Sequence, residues 1–225
     1  MLLALETSDR LCAACLYDSA KRQVLAAKTI DIGRGHAELL MGVIDEVLAD
    51  AGAKFSQLTS IAACIGPGSF TGIRVGVSAA IGFSIALTIP KLGITSLQAL
   101  ALQAVQGTGP KEILAIIDAH RGDVYAQRFS ASGMVLNDAA QISVADLVAQ
   151  TDFNDVTLSG SGVAALQAFS PSTLIKPFNE ITYPSVEFIA LAASNPAFQL
   201  PVKPLYLRRP DAKPQASYII ARASR

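Results

Sequence analysis

The densest run of chemically informative residues is Ile65-Gly66-Pro67-Gly68-Ser69-Phe70-Thr71-Gly72-Ile73-Arg74-Val75-Gly76. A glycine-rich turn feeding a helix presents free backbone N–H groups and the positive end of the helix dipole, which together can hold an anion. Pro67-Gly68 suits the middle of a type II turn, and Ser69 or Thr71 can cap the helix. Gly66, Gly68 and Gly72 stand two and four apart and no lysine follows, so neither G-x-x-x-x-G-K-[ST] nor G-x-G-x-x-G is satisfied. Phosphate binding and a purely structural turn both remain open.

Two acids, Glu6 and Asp118, end similar apolar runs. Paired across a cleft they could hold Mg²⁺ or serve as a base; equally, each could accept backbone N–H groups of its own turn. The two histidines, His36 and His120, are 84 residues apart, with neither H-E-x-x-H nor H-x-x-x-H. A zinc or iron site is therefore not expected. His36 reads as a helix-start residue and His120 as a turn residue. Cys12 and Cys15 have redox or zinc spacing, but LCAACLY reads as a strand, where positions three apart point to opposite faces. Buried, inert thiols are expected there.

The elements that position these residues repeat. Leu2 to Glu6, a turn at Thr7 to Arg10, and Leu11 to Tyr17 read as strand, turn, strand. About 112 residues on, Leu114 to Asp118, a turn at Ala119 to Gly122, and Asp123 to Phe129 read the same way. Two similar α/β half-domains follow, at 1–105 and 106–225. In the first, a strand at 23–31, a helix at 35–51, a strand at 60–65, a helix at 71–88 and a strand at 91–94 complete a βββαβαβ order. That order gives a mixed sheet with helices on its faces. In the second, helices are expected at 143–150, 162–168 and 186–194, with a short strand at 156–159.

The helix at 71–88 repeats small residues at Gly72, Gly76 and Ala80, a smooth strip where another helix can approach; packing on its own sheet is the alternative. The helix at 35–51 carries a stripe of Leu40, Ile44, Val47, Leu48 and Ala51, with Leu39, Met41 and Val43 off that line. An apolar face wider than one buried side requires favours a second partner.

Composition points the same way. Charged residues are 16% against a typical quarter, the 18 basic and 18 acidic residues balance, and hydrophobic residues reach 51%, so apolar surface is expected. The longest nearly uncharged stretch, Val75 to Ile89, is 15 residues, short of the ~20 of a spanning helix. With no basic, cleavable leader at the start, a cytoplasmic protein without a membrane partner is expected. From residue 201 onward, six basic residues including Arg208, Arg209 and Lys213 face only Asp211. Such a tail concentrates positive charge at one end of a chain of zero net charge.

The run Gly66 to Gly76, with Pro90 and Gly93-Ile-Thr-Ser-Leu97, resembles the signature of the TsaB (YeaZ) family. Leu3-Ala-Leu-Glu-Thr-Ser8, His36 before a Leu-rich helix, Ile117 to Tyr125, and Pro204-Leu-Tyr-Leu-Arg-Arg-Pro210 add to the likeness. The resemblance implies the actin-like ATPase superfamily fold, with two RNase H-like halves. It also implies a non-catalytic subunit in the synthesis of threonylcarbamoyladenosine at adenosine 37 of tRNA. Such a subunit forms a heterodimer with the catalytic subunit TsaD, joins the ATPase TsaE and meets tRNA through the complex, with a homodimer open in isolation. No cofactor of its own is expected; any ATP or ADP would sit at the interface of the complex. Carried onto this sequence, the partner surface comprises His36, Leu39, Leu40, Val43, Ile44 and Val47 of one helix. It continues through Gly68, Ser69, Phe70, Thr71, Gly72, Arg74, Val75, Gly76 and Ala80 of the glycine motif and the helix after it. The rival readings are a small-molecule phosphotransferase of the same fold and a metallopeptidase. The first lacks its phosphate-loop glycine at both turns, and the second lacks clustered histidines.

Overall fold

Apolar alternation and turn chemistry produce the first three strands in sequence: β1 (Leu2–Glu6), β2 (Leu11–Asp18) and β3 (Gln23–Asp31). The computed structural model describes residues 1–106, 111–171 and 181–208. β1 and β2 pair antiparallel from Leu2↔Tyr17 to Glu6↔Ala13, and β3 closes that edge. Helix α1 (His36–Asp50) follows, then β4 (Ser60–Cys64), helix α2 (Phe70–Leu87) and β5 (Lys91–Ile94). β4 runs parallel to β1, and β5 parallel to β4, so the sheet order is β3-β2-β1-β4-β5.

Helix α3 (Ser96–Val105) leads to the second sheet, built from β6 (Glu112–His120), β7 (Asp123–Phe129), β8 (Ala140–Ser143) and β9 (Val156–Ser159). Its order is β8-β7-β6-β9, with β6–β7 antiparallel and β6–β9 parallel. This repeats the arrangement β3-β2-β1-β4 strand for strand. Helices α4 (Val144–Gln150), α5 (Val163–Phe169) and α6 (Val186–Ala193) complete the described elements. The sequence reading omits α3 and β8, and it ends β6 two residues early, at Asp118 rather than His120.

The helices do not follow the halves as the strands do. α6 packs with Leu2, Ala4, Cys15 and Tyr17 on one face of the first sheet. α3 packs with Ile113, Ala115, Ile117 and Phe129 of the second sheet and also touches α6. Ser159 Oγ donates to Leu100 O at 3.1 Å and Gln98 Nε2 to Gly133 O at 2.9 Å, tying α3 to the second half. On the other face of the first sheet, Leu40, Val43, Ile44, Val47 and Leu48 of α1 join Leu3, Leu5, Ile61 and Ala80 in a separate core. Each such side chain, fully buried, contributes about 1.5–3 kcal/mol. Cys15 lies in the first of these cores and Cys12 in the last, on opposite sheet faces, as the strand reading requires. Burial pushes the thiol of Cys12 up to about 11 and that of Cys15 to about 12, which keeps both protonated.

Candidate functional site

The glycine motif sits between β4 and α2. Ser69 caps α2, its Oγ accepting from Gly72 N at 3.2 Å. The Gly66–Pro67 bond is cis. The β1–β2 turn presses against this loop. Ser69 N donates to Ser8 O at 2.6 Å, and Thr7 Oγ1 donates to Gly72 O at 2.8 Å. A Cβ at Gly68 would overlap Ser8 O, one at Gly72 would overlap Thr7 O, and one at Gly76 would meet Thr7 Oγ1 at 2.5 Å. These glycines exist because backbone approaches backbone here. Of the N–H groups at this helix start, Ser69 N is taken by Ser8 O and Gly72 N by Ser69 Oγ.

The strip Gly72, Gly76, Ala80 is therefore an inward strip. All three residues are buried against the molecule's own β1 turn and sheet, and the intramolecular alternative for that strip is the one realised. The same correction applies to His36, Leu40, Val43, Ile44 and Val47, expected at a partner surface but buried in the core. His36 Nε2 lies 3.1 Å from Leu11 O, which fixes the helix start to β2. Val75 and Gly68 are half-buried, while Leu39, Ser69, Phe70, Thr71 and Arg74 face solvent.

An outward face of α2 lies about two residues out of phase with the inner one. Arg74, Ser78, Gly82, Ile85 and Ala86 are exposed, Ile85 to 73%. A Cβ at Gly82 meets nothing within 4 Å, and the same holds for Gly42 on α1, near exposed Leu39 and Met41. Sequence reasoning missed this phase because α2 is apolar all round. The available signal was Arg74: positions four, eight and twelve beyond it are Ser78, Gly82 and Ala86. α2 is long and apolar enough to cross a membrane by length and composition, yet its inner face packs on its own sheet. At the start of this face, the Arg74 guanidinium lies 3.6 Å over the Phe70 ring, and its Nε donates to Tyr206 Oη at 2.8 Å. Phe70 and Tyr206 stack at 5.3 Å, so the C-terminal segment is clipped onto α2. Leu205 N donates to Ile65 O at 2.8 Å just before this clip.

The two acids behave as turn residues. Glu6 accepts from Ser8 N at 2.5 Å and Asp118 from His120 N at 2.7 Å. Glu6 is buried, and desolvation pushes its carboxyl up to about 7 against the opposing hydrogen bonds of Ser8 and Cys64. Burial also raises Asp9, with Arg10, His120 and His36 pulling the other way; the tips of the two hairpins thus feel one another. Among the described residues, no three His, Cys, Asp or Glu side chains are grouped so that they could hold a metal ion. The tail residues Arg209, Asp211, Lys213, Arg222 and Arg225 lie outside the described residues.

Two sheets with matching β3-β2-β1-β4 order and helices on their faces define an actin-like fold of two RNase H-like halves. The family model described as TsaD, tRNA N6-adenosine threonylcarbamoyltransferase, matches residues 25–203. An uncharacterized protein of Mycobacterium bovis is 31% identical over 220 residues, covering 96% of this chain and 95% of its own. The tRNA threonylcarbamoyladenosine biosynthesis protein TsaB of Haemophilus influenzae is 37% identical over 127 residues, 55% of this chain and 51% of that one. YeaZ from Pseudomonas aeruginosa superimposes with a TM-score of 0.76 at 25% identity, covering 92% of this chain and 99% of that one. The chain belongs to this family, on its TsaB (YeaZ) branch.

Proposed function

We propose that the chain is the accessory, non-catalytic subunit of the machinery that makes threonylcarbamoyladenosine on tRNA, and that it docks a catalytic TsaD-type subunit on the outer face of α1 and α2. The observation that carries this reading is the exposed face of α2, where Phe70 and Ile85 flank the smooth positions Ser78, Gly82 and Ala86. A helix with one face on its own sheet and an equally apolar face in solvent needs a second surface to cover it. The small residues let a partner helix approach closely, and exposed Leu39 and Met41 on α1 extend the patch. The ATPase TsaE would join through the catalytic subunit, and the same face would hold a second copy when that subunit is absent. The non-catalytic role is supported by the use of the Ser69 N–H within the molecule and by Glu6 Oε1 and Asp118 Oδ1 each accepting from its own turn.

The test is Gly82→Leu with Ile85→Asp. Both positions are open, so thermal unfolding should stay at the wild-type value while co-purification with TsaD is lost. Desolvating an aspartate in an interface costs several-fold more than leaving it in water. A folded double variant that binds TsaD with native affinity would place the interface elsewhere. ATP turnover by the isolated chain would instead favour the phosphotransferase reading.

A further inference from the structure

A cavity of about 410 Å³ opens between the β2–β3 turn of the first sheet and the loop after β7 of the second, with α3 and the end of α6 completing its wall. We infer that it binds an amphipathic carboxylate, the carboxylate on Arg22 and the apolar body against Leu102, Met134, Leu191 and Phe198.

The first ground is an unspent charge. Among the described residues of the lining, Arg22 is the one charged side chain, and no carboxylate accompanies it. Arg22 is exposed, and its guanidinium makes no ion pair or hydrogen bond with a described residue. The acid of the same turn, Asp18, is already engaged by Lys21 at 3.7 Å and by the N–H groups of Ala20 and Lys21. Arg22 also holds φ of 53°, a conformation in which glycine or asparagine would serve the turn better. Ser19, three residues earlier, likewise has no side-chain partner among the described residues, whereas the Ser132 and Ser194 hydroxyls are used within the molecule.

The second ground is a fixed apolar wall. Gln98 Nε2 donates to Gly133 O at 2.9 Å, and a Cβ at Gly133 would lie 2.7 Å from Leu102 Cδ2, so the loop after β7 is pressed onto α3. Met134 N donates back to Ser130 Oγ at 3.1 Å, which closes that loop on itself. Leu102, Leu191 and Phe198 belong to the core that α6 makes with the first sheet, on the face away from α1. Met134 stands 45% exposed beside them.

The lining selects the ligand. Small-molecule sites commonly enclose roughly 300–1,000 Å³, mostly apolar with a few placed polar groups. One guanidinium pairs with a carboxylate through two parallel hydrogen bonds, while a phosphate dianion would keep an uncompensated charge. A bare inorganic anion would leave Leu102, Leu191 and Phe198 uncovered. A free acid and the apolar C-terminal residue of a peptide present the same chemistry. Because the wall is drawn from both sheets' connections, a bound ligand should raise the unfolding temperature of the whole chain.

The experiment titrates the full chain with octanoate, octanamide, and acetyl-Ala-Ala-Leu bearing a free or an amidated C-terminus, followed by calorimetry and by thermal unfolding. At least one acid should bind and raise Tm, with its amide about ten-fold weaker or more. Arg22→Asn suits the turn and removes the charge, so it should fold and bring the acid down to the affinity of its amide. Arg22→Lys should keep most of the preference. Met134→Ser, at an exposed position, should weaken acid and amide alike by several-fold. Binding of octanoate alone upholds the site with a free acid as its ligand, and binding of the peptide acid alone upholds it with a peptide terminus. No binding of either acid by about 1 mM overturns the site. So does a folded Arg22→Asn that binds the acid with native affinity. The result is independent of the docking reading, since α1 and α2 lie on the other face of the first sheet.

Discussion

The β1–β2 and β6–β7 hairpins occupy equivalent places in their sheets, but their tips are used in opposite ways. In the first, Thr7 and Ser8 are buried and their backbone lies against Gly68 and Gly72 at the start of α2. In the second, Gly122 meets nothing, and His120 and Arg121 project from a turn held at positive φ. At the first tip Thr7 Oγ1 and the Ser8 carbonyl fasten the glycine motif, while Glu6 Oε2 and Ser8 Oγ are buried without a hydrogen-bond partner. The second leaves its groups outside, beside Arg208 and Asp123. A repeated fold therefore need not repeat a site: the same strand order buries one tip in packing and leaves the other at the surface.

The comparison is broken most severely by adding volume at the first tip. Gly72→Val forces a side chain into the Thr7 carbonyl, backbone that has no room to yield. We expect a loss of about 3 kcal/mol or more, read as a lowered urea midpoint or as failure to accumulate folded protein. Gly82→Val, ten residues on and facing solvent, should be neutral or slightly stabilising, because nothing lies within 4 Å of its Cβ and glycine is the poorer helix former. Equal losses at the two sites would mean that the two faces of α2 are packed alike.

Next in size is the pH response of the buried tip. Glu6 carries a folded pKa of about 7 against 4.5 for the free group. Between those values the folded state holds a proton that the unfolded state has released, so stability is full below about pH 4.5 and falls as pH rises through about 7. The difference amounts to roughly 3 kcal/mol. Glu6→Gln should remove this slope, measured as chemical denaturation midpoints at several pH values. A variant that keeps the wild-type slope would assign it to another group.

These contrasts also mark what the sequence could reveal. The strand–turn–strand repeat was legible because each apolar run is short, bounded by polar turns and ended by an acid. The opposite placement of Cys12 and Cys15 followed from strand periodicity alone. α3 was missed for a physical reason: SLQALALQAV is buried on nearly every side, so no polar face marks its period. Its cap was visible, since Thr95 Oγ1 accepts from Gln98 N at 3.0 Å. β8 is four residues at a sheet edge, below the length at which alternation can be read. Among the proposed partner residues, Phe70, Thr71, Arg74 and Leu39 lie on the outside, whereas Val43 and the Gly72, Gly76, Ala80 strip lie within. An evenly apolar helix states that two faces are buried in something, but not which face meets the sheet. Only the lone charge at Arg74 carries that phase.

The smallest expected effect, and the one that separates the two tips by sign, concerns the exposed turn. Gly122 holds φ of 85° in open space, so Gly122→Ala meets no neighbour and costs only the backbone penalty, about 1 kcal/mol. For a chain of this size that is a fall of roughly 2–4 °C in Tm. Arg121→Asn acts in the opposite direction. Asparagine accepts the left-handed conformation more readily than arginine, so the backbone contribution to the folded state should improve by up to about 1 kcal/mol. No substitution at buried Thr7 should stabilise, because its Oγ1 donates to Gly72 O and its backbone packs against the glycine motif. A differential scanning measurement in which Arg121→Asn lowers Tm would show that the arginine is itself structural, held by its own contacts. The turn would then be a second packed tip, and the contrast between the halves would fail at its most exposed point.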